Sequence, residues 1–311
     1  LTPLATIDYA IGLCSASEQS VILVAPGHAE SKAASGTLNT CDVAGVKILG
    51  LGEGTLRPTI TLSHTGAVAF AVSVANVVIS NIKIVVSVNA VVKVISVAGA
   101  DCRLLDIEVA DDAVTTEAAI GILTTAAADN LRIERYKHNG FLAGDTCTEA
   151  ISLIGVDRCE IIDSWFRGKF STAAIQMVTT ACSGVVVKNC VFENGTTALT
   201  TTVVDNAVSK WSAIGCFDVV GGYGFSGGSG TALASDDVSG VSGSIGTITN
   251  TGGTATIGGV ATIGGGRTMG SSTATTSASF LRRTCRERPM PSPKQDASST
   301  KSVPLTPSGT K

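Results

Sequence analysis

The clearest feature of the chain is a short alternating pattern of apolar and polar positions that occurs eight times. A small or polar residue, here called the anchor, is followed by apolar residues one and three positions later and usually by a polar residue or Gly at position five. The anchors are Ser20, Gly45, Asn76, Asp101, Asn130, Arg158, Gly184 and Lys210. Because alternate residues of a β-strand share a face, the two apolar positions of each copy point to the same side.

The spacing of the anchors indicates how the copies are arranged. Successive anchors are 25, 31, 25, 29, 28, 26 and 26 residues apart. This range fits one coil of a solenoid per copy, with the variation in loops on one side. We therefore predict an all-β fold, a right-handed single-stranded parallel β-helix of about eight coils, which at about 4.8 Å per coil spans roughly 38 Å. A β-sandwich is the alternative, but its strands recur every 8–12 residues or so.

The aligned copies predict a role for each column of residues. The columns one and three positions after the anchor, which include Val77 and Ile79, are expected to form buried axial rows. The column five positions after the anchor is expected to form the coil corner, since Gly and Asn tolerate the left-handed backbone of sharp turns. It contains Gly50, Asn81, Asp106, Arg135, Asp163, Asn189 and Gly215.

Composition and pattern divide the chain into four parts. Residues 1–19 are expected to cap the solenoid, because apolar residues at helical spacing predict a short amphipathic helix over 4–16. Residues 20–220 form the predicted β-helix. Residues 221–280 are a Gly/Ser/Thr-rich C-terminal extension, and residues 281–311 are a basic, Pro-rich tail that we expect to be disordered.

Charge and cysteine content exclude several classes of function. The net charge of −3 combines +5 in residues 281–311 with −8 in the rest, so the body carries no basic footprint for nucleic acid. No apolar run is long enough to predict membrane insertion. The nine Cys are an odd number without a CxxC pair, which predicts free thiols in a reducing compartment and no cofactor or metal cluster.

Two sets of carboxylates are candidate sites for chemistry. Asp106, Arg135 and Asp163 follow one another in the corner column, and two coil steps would place the Asp side chains roughly 9.6 Å apart, near the limit for an inverting glycosidase pair. The same residues also fit a charge-compensated turn ladder, which we favour over catalysis. Asp111 and Asp112 are weak candidates for a cation site, since two adjacent carboxylates are usually solvated.

A family resemblance adds to this picture. The repeat resembles the pectin-lyase-like superfamily of β-helices. The runs ATIDYAIGLC at 5–14, VILVAPGHAE at 21–30, DVAGVKILGLG at 42–52 and RPTIT at 57–61 resemble a family common in tailed-phage and prophage genomes. The likeness covers residues 5–110 and extends weakly to about 220. It implies a virion protein but assigns no catalytic residues.

These observations predict a non-enzymatic bacteriophage structural protein, either a capsid decoration or head fibre or a tail-associated β-helix. Its expected location is the virion, assembled in the host cytoplasm. Its expected partners are other virion proteins, two further copies in a homotrimer that would bury an outer face at Val85, Val86 and Val88, and a host-surface glycan. The alternatives are a tailspike-like polysaccharide lyase or glycoside hydrolase, and a surface binder that uses Thr-rich rows near 248–263.

Overall fold

The computed structural model describes residues 3–16, 18–144, 147–195, 203–205, 209–218 and 225–227. The chain begins with a helix, α1 (Ile7–Gly12), and a 3-10 turn covers Gly54–Leu56. The first twelve strands are β1 (Val21–Val24), β2 (Ala29–Lys32), β3 (Gly36–Cys41), β4 (Lys47–Gly50), β5 (Thr59–Leu62), β6 (Ala67–Val72), β7 (Val78–Ser80), β8 (Lys83–Val86), β9 (Ile95–Val97), β10 (Arg103–Leu105), β11 (Glu108–Asp111) and β12 (Ile120–Thr124). The second twelve are β13 (Arg132–Glu134), β14 (Lys137–Asn139), β15 (Cys147–Leu153), β16 (Glu160–Ile162), β17 (Trp165–Gly168), β18 (Phe170–Met177), β19 (Ser183–Lys188), β20 (Val191–Asn194), β21 (Val203–Asp205), β22 (Lys210–Ile214), β23 (Phe217–Asp218) and β24 (Phe225–Gly227).

These strands form three parallel sheets that confirm the predicted β-helix. Every third strand belongs to the same sheet, so each coil contributes one strand to each sheet. Sheet A runs β1-β4-β7-β10-β13-β16-β19-β22, sheet B runs β2-β5-β8-β11-β14-β17-β20-β23, and sheet C runs from β3 to β24 in the same way. Each sheet has eight strands, and neighbouring strands are in parallel register, as in Ile48↔Ile79.

The predicted core rows lie inside the solenoid. From the second copy onward, the residues one and three positions after the anchor are almost completely buried, from Val46 and Ile48 to Trp211 and Ala213. Sheet B contributes another buried row to the core. In the later coils this row consists of ring side chains, because His138, Phe166 and Phe192 are in register. The rings of Phe166 and Phe192 stack with centroids 5.0 Å apart.

The prediction for the first copy is wrong by one residue. The repeat pattern predicts that Val21 and Leu23 are buried, but they are 52% and 63% exposed. Ile22 pairs with Ile48 instead, and the left-handed anchor is Gln19 (φ 47°) rather than Ser20. Because side chains alternate along a strand, a shift of one residue transfers every side chain to the opposite face.

The three corners of the coil differ in length. Between sheets A and B, two residues make the turn in six successive coils, starting with Asn81 and Ile82. The first residue of this pair always has positive φ, from 51° to 60°, which confirms the predicted corner column from Asn81 to Gly215. The connections from B to C and from C to A vary, and in the first two coils the connection from A to B is also longer, with residues 25–28 and 51–58. The unequal repeat spacing therefore arises at all three corners rather than one.

Helix α1 is shorter than the predicted 4–16 and is attached to the first coil by two carboxylates. Ile7 and Ile11 are buried, whereas Leu4 lies outside the helix and is exposed. The Ile7 backbone N–H donates to Glu30 (2.7 Å), and the Thr40 N–H donates to Asp8 (2.9 Å).

Several predictions concern residues for which the structure gives no description. The extension 221–280 is described only at β24, which continues sheet C past residue 220. The tail 281–311 and the Thr-rich rows near 248–263 lie outside the described residues. Within the described part of the chain, no helix is long and apolar enough to cross a membrane. The predicted outer apolar face is wrong at Val86, which is fully buried in the core.

Candidate functional site

Two rows of left-handed residues border sheet A, and their polar side chains bond along the solenoid axis. The row before the strands includes Asp101, Asn130 and Arg158, each with φ between 56° and 57°. Asn130 Nδ2 donates to Asp101 Oδ1 at 2.9 Å, and Arg158 Nε donates to Asn130 Oδ1 at 2.5 Å. Each bond joins two coils, so this row is a hydrogen-bonded ladder.

The row after the strands contains the three predicted candidates for catalysis. Arg135 donates to both carboxylate oxygens of Asp106, through Nε at 2.6 Å and Nη2 at 2.9 Å, and it also pairs with Glu134. The hydrogen bonds that Arg135 donates to Asp106 raise the pKa of Arg135 above its usual value. Asp163 instead accepts a hydrogen bond from Asn189 Nδ2 at 3.0 Å. The structure thus places all three residues in one row but joins Arg135 to only one of the two carboxylates.

The adjacent Asp111 and Asp112 lie in different environments. Asp112 is exposed. Asp111 is half-buried, its buried Oδ1 has no hydrogen-bond partner among the described residues, and burial raises its pKa to about 7 even though the Phe141 backbone N–H donates to it. Among the described residues, no three His, Cys, Asp or Glu side chains are grouped to hold a metal ion.

Asp111 belongs to a buried polar cluster that the sequence did not indicate. The cluster lies where sheets B and C meet and includes Tyr136, His138 and Cys147. The Tyr136 hydroxyl is 3.2 Å from His138 Nδ1, and both rings are about 1% exposed. Burial lowers the pKa of His138 to about 4, so the imidazole is neutral at physiological pH, while burial and nearby negative charges raise the pKa of Cys147. Tyr136, His138 and Cys147 are enclosed in the solenoid, which makes their cluster a structural feature rather than an accessible site.

An open groove of about 880 Å³ runs along the outer face of sheet A. Four basic and two acidic side chains line it, in contrast to the acidic balance of the body. Two of the basic residues are neutralised or bound, since Arg132 pairs with Glu134 (2.9 Å) and Glu160 (2.8 Å) and Arg158 bonds within its ladder. Lys47 and Arg103 are exposed and have no ion-pair partner in the described part of the chain.

Along the axis, the groove residues without an ion-pair partner are cationic in one coil, neutral in the next and cationic again in the third. Lys47, Val78 and Arg103 are in register on three successive coils. In the middle coil the groove is also lined by Asn76, whose side-chain amide has no hydrogen-bond partner among the described residues. The Cα atoms of Lys47 and Arg103 are therefore about 9.6 Å apart along the axis, and Asn76 lies in the coil between them. The sequence pattern did not indicate this groove, because it shows neither which outward residues are free of ion pairs nor that Lys47, Asn76 and Arg103 line one depression.

No protein-family model matches this chain, and no curated protein matches it.

Proposed function

We propose that this chain is a non-enzymatic structural protein of a bacteriophage particle, with a pectin-lyase-like β-helix as its rigid element. The main support for a structural role is the continuous hydrophobic core, which is enclosed by three eight-stranded parallel sheets. Every coil packs on its neighbours along this core, so the molecule resists local bending and opening. Such a rod suits a capsid decoration, a head fibre or a tail-associated protein.

The phage context is supported by the sequence runs within residues 5–61 that resemble tailed-phage and prophage proteins. In the structure these runs supply the cap and the first two coils. The cap helix, the carboxylate of Glu30 that binds it and the first core strands all lie there. The resembling segment is thus one structural unit rather than scattered matches.

The arrangement of the polar residues favours a structural role over catalysis. A glycoside hydrolase needs one carboxyl group to donate a proton and a second to act as base or nucleophile. Here Asp106 is bound on both oxygens by Arg135, and Asp163 is bound by Asn189. Both carboxylates already serve as acceptors within the corner ladder.

The experiment that tests this proposal is quantitative mass spectrometry of gradient-purified particles from the source. A copy number that matches a capsid or tail symmetry is expected, whereas absence from the particles would contradict the proposal. Light scattering of the purified chain tests the homotrimer that we propose as its assembly state. Loss of glycan-degrading activity in Asp106→Asn or Asp163→Asn would instead favour a depolymerase.

The groove on sheet A supports a contact with an acidic host-surface glycan. Extended sugar chains advance by about one coil step per residue, so the spacing from Lys47 to Arg103 matches acidic groups on alternate sugars. The Asn76 amide between them is suited to hydrogen-bond a neutral sugar. The groove lining contains no aromatic residue, which disfavours single-stranded nucleic acid because such ligands bind largely by base stacking.

Binding of hyaluronan oligosaccharides, in which uronic acid alternates with a neutral sugar, tests this contact. We expect salt-sensitive binding by the parent chain and at least a tenfold weaker affinity in the Lys47→Gln/Arg103→Gln double variant. A Lys83→Gln/Lys188→Gln variant removes the same charge outside the groove and is expected to bind normally. Equal loss in both variants, or equal binding of a neutral dextran, would contradict the assignment.

A further inference from the structure

Cys190 and Cys216 occupy the same place in two successive coils. Each follows the left-handed corner residue between sheets A and B, which is Asn189 in one coil and Gly215 in the next. Register pairs lie on both sides of the two cysteines, since Lys188 pairs with Ile214 and Val191 pairs with Phe217. The two cysteines therefore face each other directly across adjacent coils.

Their side chains also point in the same direction. Cys190 Sγ contacts the carbonyl oxygens of Lys188 (3.3 Å) and of Ile161 in the preceding coil (3.6 Å). Cys216 Sγ contacts the oxygens of Ile214 (3.6 Å) and Val187 (3.5 Å), which are the register partners of those two residues. The same contacts repeated one coil later mean that the two thiols are stacked along the axis.

The stacked thiols interact directly. A hydrogen bond with Cys216, together with burial, raises the pKa of Cys190 above its usual value. Both residues are at most 5% exposed. The Cys190 thiol is therefore protonated at neutral pH, which keeps it unreactive until an oxidant reaches the pair.

The distance between adjacent coils suits a covalent bond. Neighbouring parallel strands are about 4.8 Å apart, within the roughly 4.4–6.8 Å that separates the Cα atoms of disulfide-bonded cysteines. We propose that Cys190 and Cys216 are a redox modification site, a dithiol that a small disulfide or another two-electron oxidant converts to an intramolecular disulfide. The bond would join the coil of β19 and β20 to the coil of β22 and β23.

The reaction with oxidised glutathione balances as two exchange steps. The Cys216 thiol, after loss of its proton, attacks one sulfur of the glutathione disulfide and releases one glutathione thiolate. The deprotonated Cys190 sulfur then attacks the Cys216 side of the mixed disulfide and releases the second glutathione. Two protein thiols are oxidised, two glutathione molecules are formed, and the two protein protons pass to the glutathione thiolates.

Two other positions in the chain supply matched control variants for this pair. Ser164 occupies the same row one coil earlier and likewise bonds the carbonyl two residues before it, at 2.8 Å. A hydroxyl is therefore accommodated in this row, which makes Cys190→Ser a conservative variant. Cys147 is also buried, but its register partner in the next strand is Phe170, so it provides a control thiol without a stacked cysteine.

Peptide mapping of the full chain tests the proposal. Trypsin cleavage after Lys188, Lys210 and Arg267 places Cys190 in peptide 189–210 and Cys216 in peptide 211–267, each with a single cysteine. After incubation with oxidised glutathione, or with diamide as a smaller oxidant, we expect these two peptides to be cross-linked and to separate on reduction. The oxidised chain should melt several degrees higher than the reduced chain, because the bond restricts the unfolded state.

The variants distinguish this bond from general oxidation. Cys190→Ser and Cys216→Ser should each abolish both the cross-link and the oxidant-induced shift in the melting midpoint, while Cys147→Ser should retain both. Circular dichroism of each reduced variant confirms that it is folded. Failure of the parent chain to form the 189–210/211–267 cross-link with either oxidant, or an equal shift in Cys190→Ser, would overturn the proposal.

Discussion

Arg135 holds the carboxylate of Asp106 through two parallel hydrogen bonds, from Nε at 2.6 Å and from Nη2 at 2.9 Å, across one coil step. Both residues have left-handed backbones, with φ of 51° and 52°. The same corner therefore combines an unfavourable backbone conformation with a favourable side-chain pair. The pair compensates at the surface for a conformation that the sharp turn requires.

A double-mutant cycle on this pair should reveal a measurable coupling. We expect Arg135→Gln and Asp106→Asn each to destabilise the chain, with a coupling energy of about 1 kcal/mol because the pair is bidentate although exposed to solvent. Urea unfolding of the parent, both single variants and the double variant measures it. Strict additivity would show that the two side chains do not interact in solution.

Asp111 should make the protein less stable as the pH rises. Its folded-state pKa is about 7, above the usual 3.8, so the folded state binds more protons between these values and stability falls as pH increases through this window. Asp111→Asn should remove this loss and stabilise the chain by on the order of 2–4 kcal/mol at about pH 8. Near pH 4 the two proteins should be equally stable by denaturant unfolding, and Asp112→Asn, at an exposed position, should show no such difference.

His138 should make the protein less stable as the pH falls, which is the opposite of the effect of Asp111. Its folded-state pKa is lowered from 6.5 to about 4, so the unfolded state binds more protons in this range and stability is lost as pH falls through it. His138→Gln retains a polar group beside Tyr136 and should be less sensitive to acid by on the order of 2–3 kcal/mol between about pH 6.5 and 4. The measurement is the difference between variant and parent at each pH, which cancels the contribution of Asp111. If the stability of the parent and of His138→Gln changed with pH in parallel, the prediction of a neutral buried imidazole would be wrong.

The core rows predict a sharp contrast between two isoleucines of sheet A. Ile161 is fully buried between its row neighbours, whereas Ile214 is 42% exposed. Ile161→Ala should destabilise the chain by about 3 kcal/mol, since it removes buried methyl groups and leaves a cavity. Ile214→Ala should cost about 0.5 kcal/mol or less. Similar melting midpoints for the two variants would contradict the assigned register.

The sequence was sufficient to predict the rows of the core because they depend on a local rule. From Val46 to Ala213, an anchor that turns the chain is followed by two inward residues, and this rule repeats in every later coil. It failed at Ser20 because the first strand is also apolar on its exposed face, at Val21 and Leu23. With both faces apolar, the pattern alone could not show which residues point inward.

The partners of the polar residues could not be predicted in the same way. The predicted corner column correctly placed Asp106, Arg135 and Asp163 in one row. Which of the two carboxylates Arg135 binds depends on side-chain geometry, and Arg135 binds Asp106 while Asp163 binds Asn189. Tyr136 and His138 are only two residues apart, but their contact depends on both side chains pointing into the core. The corner pairs join residues of successive coils, and no short-range pattern encodes which of them bond.

The two-residue corner between sheets A and B makes the molecule modular in length. Six successive coils enter and leave this corner with the same backbone geometry, so each presents equivalent edges to the coil before it and the coil after it. Duplication or loss of one complete coil would leave every remaining edge with a matching neighbour. Evolution can therefore lengthen or shorten such a rod in units of one repeat, while the longer loops at the other corners diversify independently of its length.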